Sequence, residues 1–128
     1  MFVRFVVNLR DPNSNRRQGL FQAGKRLLEG IEISQSDSEY LISIRTWFDI
    51  NLEKPDRLAL SSRANSKEQA ISWFKDNASE HIRQMREYQR IIELYGETVS
   101  VLHTERPGYI VYEDDFQVAA YPFADTPS

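Results

Sequence analysis

The last third of this chain consists almost entirely of strand-forming residues, and its connectors are too short to lead anywhere but back. Thr98–Glu105, Tyr109–Tyr112 and Phe116–Tyr121 are three β-rich runs, separated by Arg106-Pro107-Gly108 and by Glu113-Asp114-Asp115. Pro-Gly suits a type II turn, because proline presets φ and glycine accepts the positive φ that follows. Connectors of this length predict antiparallel neighbours, here a three-strand meander. A further short run, Phe2–Leu9, is β-branched and aromatic, with Val3, Phe5 and Val7 on one face. An isolated strand is not stable, so this one is expected to join the meander. The expected architecture is α+β: a four-stranded, mostly antiparallel sheet with helices packed on one face, in one domain spanning residues 1–128.

The middle of the chain carries the helices. After the turn cluster Asp11-Pro12-Asn13-Ser14-Asn15, a helix is expected from about Arg16 to Glu29, stopped by Gly30. Ser36-Asp37-Ser38-Glu39 reads as a capping box. It opens a helix in which Leu41, Ile44, Trp47/Phe48 and Leu52 recur at helical spacing. Residues 54–65 read as a connecting loop in which Arg57–Leu60 form an extended segment. Ser66-Lys67-Glu68-Gln69 is a second capping box. The helix it opens would carry Ile71, Phe74, Ala78, Ile82, Met85, Tyr88 and Ile92 before stopping at Gly96. It runs unbroken, or it breaks at Asp76-Asn77-Ala78-Ser79, where short polar side chains compete for backbone bonds. The residues from Phe123 onward are expected to fray.

Composition narrows the chemistry. The 128 residues contain no cysteine, which excludes disulfides, thiolate metal sites and cysteine nucleophiles. No apolar run reaches the roughly 18 residues of a membrane helix, and the first residues lack the basic region and cleavage site of a signal peptide. A cytoplasmic protein is expected. The net charge of −3 argues against nucleic acid as a partner, and no RNA-recognition signature is present. The charge is uneven, however. Residues 1–30 hold six basic residues against two acidic ones, and the remainder hold ten against seventeen. Either this basic head pairs with the acidic body inside one fold, or it builds an anion site.

Each candidate for chemistry has a plain structural alternative. Arg16 and Arg17 open the first expected helix, where cations oppose the dipole unless an anion compensates. That anion is an acidic side chain of the same fold, the favoured reading, or a bound ligand. His81, with Asn77 and Met85 at i±4, has no histidine partner for a metal and is expected at the surface or its boundary. His103 has Glu105 two residues on, as an oriented base would, or it lies on a solvated sheet edge. Glu113-Asp114-Asp115 is a cation site or a solvated turn, and the second is favoured. Tyr109 and Tyr112, on opposite faces of their strand, offer an aromatic platform that stacks nucleic-acid bases or meets a protein partner, and the second is favoured. Trp73 lines a groove or closes the core edge. Lys75, on the same expected helix, would supply a further positive charge.

The stretches Arg16–Ala23, Trp73–Asp76 and Arg106–Asp114 resemble segments of small uncharacterised bacterial proteins. The resemblance implies a bacterial, cytoplasmic, single-domain protein and supplies no activity, ligand or site residue. The leading functional expectation is a non-enzymatic binding or interaction module, with a second copy or another protein as partner and no cofactor, metal or membrane. The alternative is a small enzyme or anion-ligand protein using Arg16, Arg17 and Lys75 with His103 or Glu113. An inhibitor of a toxin or enzyme is a third, weaker reading.

Overall fold

The computed structural model describes residues 1–12, 15–54 and 70–128. The described elements are β1 (Phe2–Arg10), β2 (Arg17–Gly19), α1 (Leu20–Glu29), α2 (Gln35–Asn51), β3 (Ile71–Lys75), α3 (Ser79–Leu94), β4 (Val99–Thr104), β5 (Tyr109–Glu113) and β6 (Gln117–Tyr121). The fold is α+β with an antiparallel sheet, as expected, but among the described residues the sheet has six strands rather than four. The second capping box and the extended segment at Arg57–Leu60 lie outside the described residues, as does most of the expected loop.

The three C-terminal strands do not form a meander. β5 and β6 form a hairpin, but β4 pairs along its whole length with β1, from Phe2↔Thr104 to Val7↔Val99. β3 stands between β1 and β6. The lateral order is therefore β4-β1-β3-β6-β5, with β2 also on β1. The connector Arg106-Pro107-Gly108 carries the chain away from β4 instead of folding it back. Gly108 has φ 129°, and a Cβ there would stand 2.0 Å from the Tyr121 carbonyl oxygen. Thr126 secures the same connector by donating its hydroxyl to the Arg106 carbonyl at 2.9 Å. The tail is thus anchored rather than frayed: Thr126 is buried, and its Oγ1 also accepts from the Phe123 N–H.

This connectivity curls the sheet. The link from Thr104 to Tyr109 reaches about 18 Å at full extension. A flat sheet would put β4 and β5 about 19 Å apart sideways alone. Apolar contact across the sheet agrees: Leu102 of β4 packs into the same cluster as Val118 of β6, with Phe2, Ile71 and Trp73 between them. The other face carries the larger core. There Val3, Phe5 and Val7 meet α1 through Leu20 and Ala23, α2 through Leu41, Ile44 and Phe48, and α3 through Met85, Tyr88 and Ile92. Tyr88 lies so close to α1 that only glycine fits at position 24, where a Cβ would be 1.8 Å from its hydroxyl.

Three helix boundaries differ from expectation. Arg17–Gly19 forms a strand, so α1 starts at Leu20. The reason lies in the preceding turn: Asp11 N–H donates to the Arg16 carbonyl at 2.7 Å and Asn15 N–H to the Asp11 carbonyl at 2.9 Å, which returns the chain alongside β1. The cap of α2 is Ser34, whose hydroxyl accepts from Asp37 N–H, two residues earlier than the box read from the sequence. The tyrosine ending α3 reinforces that cap, since Tyr95 donates its hydroxyl to Asp37 Oδ2 at 2.7 Å. The long helix is interrupted by the strand Ile71–Lys75, and α3 begins only at Ser79, beyond the polar break at Asp76–Asn77. In a strand, Trp73 and Phe74 point to opposite faces. Trp73 enters the curled side, and Phe74 packs on the helix side near Phe48.

Candidate functional site

The inner edge of β1 is shared by two strands. Its first residues pair with β3 (Phe2↔Lys75, Val3↔Phe74), and its later ones pair with β2 (Val6↔Gly19, Arg10↔Arg17). Between these pairings, at Arg4 and Phe5, the sheet forks. A cavity of about 580 Å³ opens at this fork and is lined by residues of both sheet faces. Carried one step further, the β1–β3 register sets Arg4 opposite Trp73, and directly opposed residues share a face.

Four arginines line the cavity: Arg4, Arg16, Arg17 and Arg45. Arg4 is the one an apolar strand would least be expected to contain. One of its guanidinium nitrogens, Nη2, donates to the Arg17 carbonyl, while Nη1 is buried without a hydrogen-bond partner. Burial lowers the Arg4 pKa to about 10, and the neighbouring charges of Arg17 and Arg16 add to the effect. Arg4 still carries its charge at neutral pH, in a setting that penalises it. Arg17 donates through Nε to the Ser128 backbone oxygen at 2.9 Å, and Arg16 donates through Nη1 to the Ser128 hydroxyl at 3.1 Å. Arg45 Nη1 donates to the Phe21 carbonyl and the Tyr88 hydroxyl at 3.0 and 2.9 Å. The acceptors of Arg4 and Arg45 are thus neutral. Three acids line the cavity too: Asp11, which accepts from Gln22 Nε2 at 3.1 Å, Asp49, which stands 3.9 Å from Lys54 Nζ, and Glu53.

Two further features adjoin the same space. Gly19 and the first turn of α1 belong to the cavity wall. That helix has no side-chain cap and no acidic residue in its first turn, and Asp11 meets that turn through the Gln22 side chain. Trp73 is 1% exposed, yet its indole Nε1–H has no partner. Among the described residues, Arg4 Nη1 and Trp73 Nε1 are the two buried side-chain polar atoms without a partner, and both residues line this cavity. Both atoms are donors.

The candidates read from the sequence separate into groups. Arg16, Arg17 and Trp73 come together at the cavity. Lys75 is in β3, where its Nζ pairs with Glu113 Oε2 at 2.6 Å, so these two satisfy each other and do not join the arginines. Tyr112 donates its hydroxyl to Asp114 Oδ2 at 2.7 Å, and its pKa is pushed up to about 12 by burial and then by that bond. Tyr109 is exposed and sits edge-on to Phe123. His103 is exposed on the outer strand β4, opposite Val3. His81, expected near the surface, is buried: its Nε2–H donates to the Asn51 carbonyl at 2.9 Å, and the ring stacks on Phe116 at 4.4 Å. It lies there because α3 starts late, which turns its first turn toward the end of α2. Sequence reasoning missed Arg4 and Arg45. A charge within the otherwise apolar run Phe2–Val7 was the visible signal for Arg4.

Among the described residues, no group of three His, Asp or Glu is placed to hold a metal ion, and no helix is long and apolar enough to cross a membrane. No family model matches the chain, and no curated protein or solved structure matches it either.

Proposed function

We propose that this chain is a non-enzymatic binding protein whose ligand is a small anionic molecule held in the arginine-lined cavity at the sheet fork. The observation that carries this reading is the buried Arg4 guanidinium with an orphaned donor and two arginine neighbours. An unpaired buried donor costs about 1–3 kcal/mol, and this one belongs to a residue of the cavity wall. The cavity volume falls in the range of small-molecule sites, and convergent polar groups in a mainly apolar wall are the usual composition of such sites. Guanidinium groups and a bare helix N-terminus are both anion-binding chemistry. Lys75 and Glu113, a neutralised pair, have no part in this reading, and neither does the exposed His103. A bacterial, cytoplasmic setting belongs to the same proposal.

The test is thermal melting of the full chain in inorganic phosphate, sulfate and acetate against chloride at equal ionic strength. Phosphate is expected to raise the melting temperature by several degrees in the native chain and by none in Arg4→Met. An equal rise in both proteins would contradict the proposal.

A further inference from the structure

Resting on the anion-binding reading above, we propose that the segment from Phe123 to Ser128 is an autoinhibitory strap: Ser128 occupies the guanidinium groups of Arg16 and Arg17, and an incoming oxyanion takes its place there.

The strap has a fixed part. Thr126 is buried, donates its hydroxyl to the Arg106 carbonyl at 2.9 Å and accepts the Phe123 N–H at 3.0 Å. Its own N–H closes the turn on the Phe123 carbonyl at 3.2 Å. The Phe123 ring lies 5.1 Å from the Arg106 guanidinium and meets Tyr109 edge-on at 5.0 Å. These contacts tie Phe123–Thr126 to the connector between β4 and β5, and none of them involves an arginine of the cavity wall.

Two residues on, the contacts change in kind. The Ser128 backbone oxygen accepts Arg17 Nε at 2.9 Å, and the Ser128 hydroxyl accepts Arg16 Nη1 at 3.1 Å. One residue thus presents two oxygens to the guanidinium groups of two neighbouring arginines, the arrangement an oxyanion adopts with such a pair. Between the fixed turn and this contact stands Pro127, which has no N–H to pin the backbone.

Both arginines belong to the cavity wall and Ser128 does not, so the strap engages them without filling the space. It competes with a ligand all the same. The Nε of arginine carries a single hydrogen, and a bidentate grip on an oxyanion needs two parallel N–H groups. While Ser128 holds Arg17 Nε, the edge of Arg17 that includes Nε is closed to a ligand. The Ser128 hydroxyl is a neutral acceptor, and an anionic oxygen at the same nitrogen makes the stronger bond. Exchange therefore favours the ligand, at an apparent affinity reduced by the fraction of molecules in which the strap is open; a strap closed in about nine molecules of ten weakens binding about tenfold.

The experiment is isothermal titration of the full chain with inorganic phosphate, in the native sequence and in Ser128→Ala and Ser128→Glu. Ser128→Ala removes one strap oxygen and is expected to tighten phosphate binding about threefold or more. Ser128→Glu offers the arginines a carboxylate and is expected to weaken it about fivefold or more. A general loosening of the fold would not move the two variants in opposite directions. In the native chain the heteronuclear NOE of the Ser128 amide should fall as phosphate saturates, while that of Thr126 holds. Binding by Ser128→Ala alone would support a strap that stays closed in the native chain. Equal affinity in all three proteins, weaker binding by Ser128→Ala, or a Ser128 amide that stays rigid at saturation would overturn the strap while leaving anion binding intact. Binding by none of the three would overturn the anion-binding reading and the strap with it.

Discussion

Two charged side chains, Asp114 and Arg4, stand at opposite ends of the polar design of this molecule. Asp114 closes the turn between β5 and β6. Its Oδ1 accepts the N–H groups of Phe116 and Gln117 at 2.8 and 3.0 Å, and its Oδ2 accepts the Tyr112 hydroxyl and Gln117 Nε2 at 2.7 and 3.1 Å. Gln117, 2% exposed, passes the network on by donating to the Glu53 carbonyl at 2.7 Å. Arg4, by contrast, has one guanidinium nitrogen bonded to a neutral carbonyl and another bonded to nothing. The same fold that completes one charge on both oxygens leaves the other open. A polar group that serves folding is closed by the chain itself. One left open beside a cavity is what the proposed anion site rests on.

Breaking the closed side should have the largest effect. Asp114→Ala removes the acceptor of four donors, and the hairpin it ties is the sole described partner of β3 on that side. A loss of about 2 kcal/mol is expected, near the middle of the cost of unpaired buried donors, and chemical denaturation measures it. A loss under about 0.5 kcal/mol would mean that water replaces the carboxylate freely, and the contrast with Arg4 would lose its meaning.

The open side should respond in the opposite direction. Arg4→Met removes a desolvated charge and fills the same space with apolar atoms, a change that tends to be neutral or stabilising. The ligand-free protein is expected to gain up to about 1 kcal/mol of stability while its response to phosphate disappears. A variant that loses 2 kcal/mol or more would show that Arg4 supports the fold rather than a ligand.

The smallest effect is a pH dependence. Burial pushes the Asp114 carboxyl up, but the hydrogen bonds from Phe116, Tyr112 and Gln117 outweigh it and hold the pKa below the ordinary aspartate value. A carboxylate depressed in the folded state stabilises fully above its unfolded pKa, and that stability is lost as pH falls through the carboxylate range toward the lower folded value. Denaturation midpoints measured from pH 6 down to pH 3 should fall more steeply for the native chain than for Asp114→Asn. Parallel curves would contradict the bonded network.

Much of this scaffold was legible in the sequence where the signal is local. Val3, Phe5 and Val7 announced β1 and its helix-facing side. The spacing of Leu41, Ile44 and Phe48 announced α2, and Gly30 and Gly96 marked helix ends. Other elements depend on distant partners. Arg-Gln-Gly has no β character, and it becomes β2 because the Asp11 turn lays it beside β1. Ile71, Phe74 and Ala78 happen to match helical spacing, which hid a strand whose alternation, Trp73 toward the curled side and Phe74 toward the helices, fits equally well. The partner of β4 was invisible because Pro107-Gly108 looks like a hairpin turn until Tyr121 and Thr126 are packed against it. For the site, the basic head and the Arg16-Arg17 pair were visible, and so was the bare question of what neutralises them. Arg4 and Trp73 acquire their meaning from the fork between β2 and β3, which no local pattern encodes.

The central claim is that the Arg4 guanidinium receives an anion. Side-chain guanidinium resonances followed by NMR during titration with inorganic phosphate test it most directly. The account predicts that Arg4 and Arg17 shift together and saturate, while Arg83 and Arg90, paired at the surface with Glu80 and Glu87, hold their positions. Saturation of the surface arginines with Arg4 unmoved would contradict it.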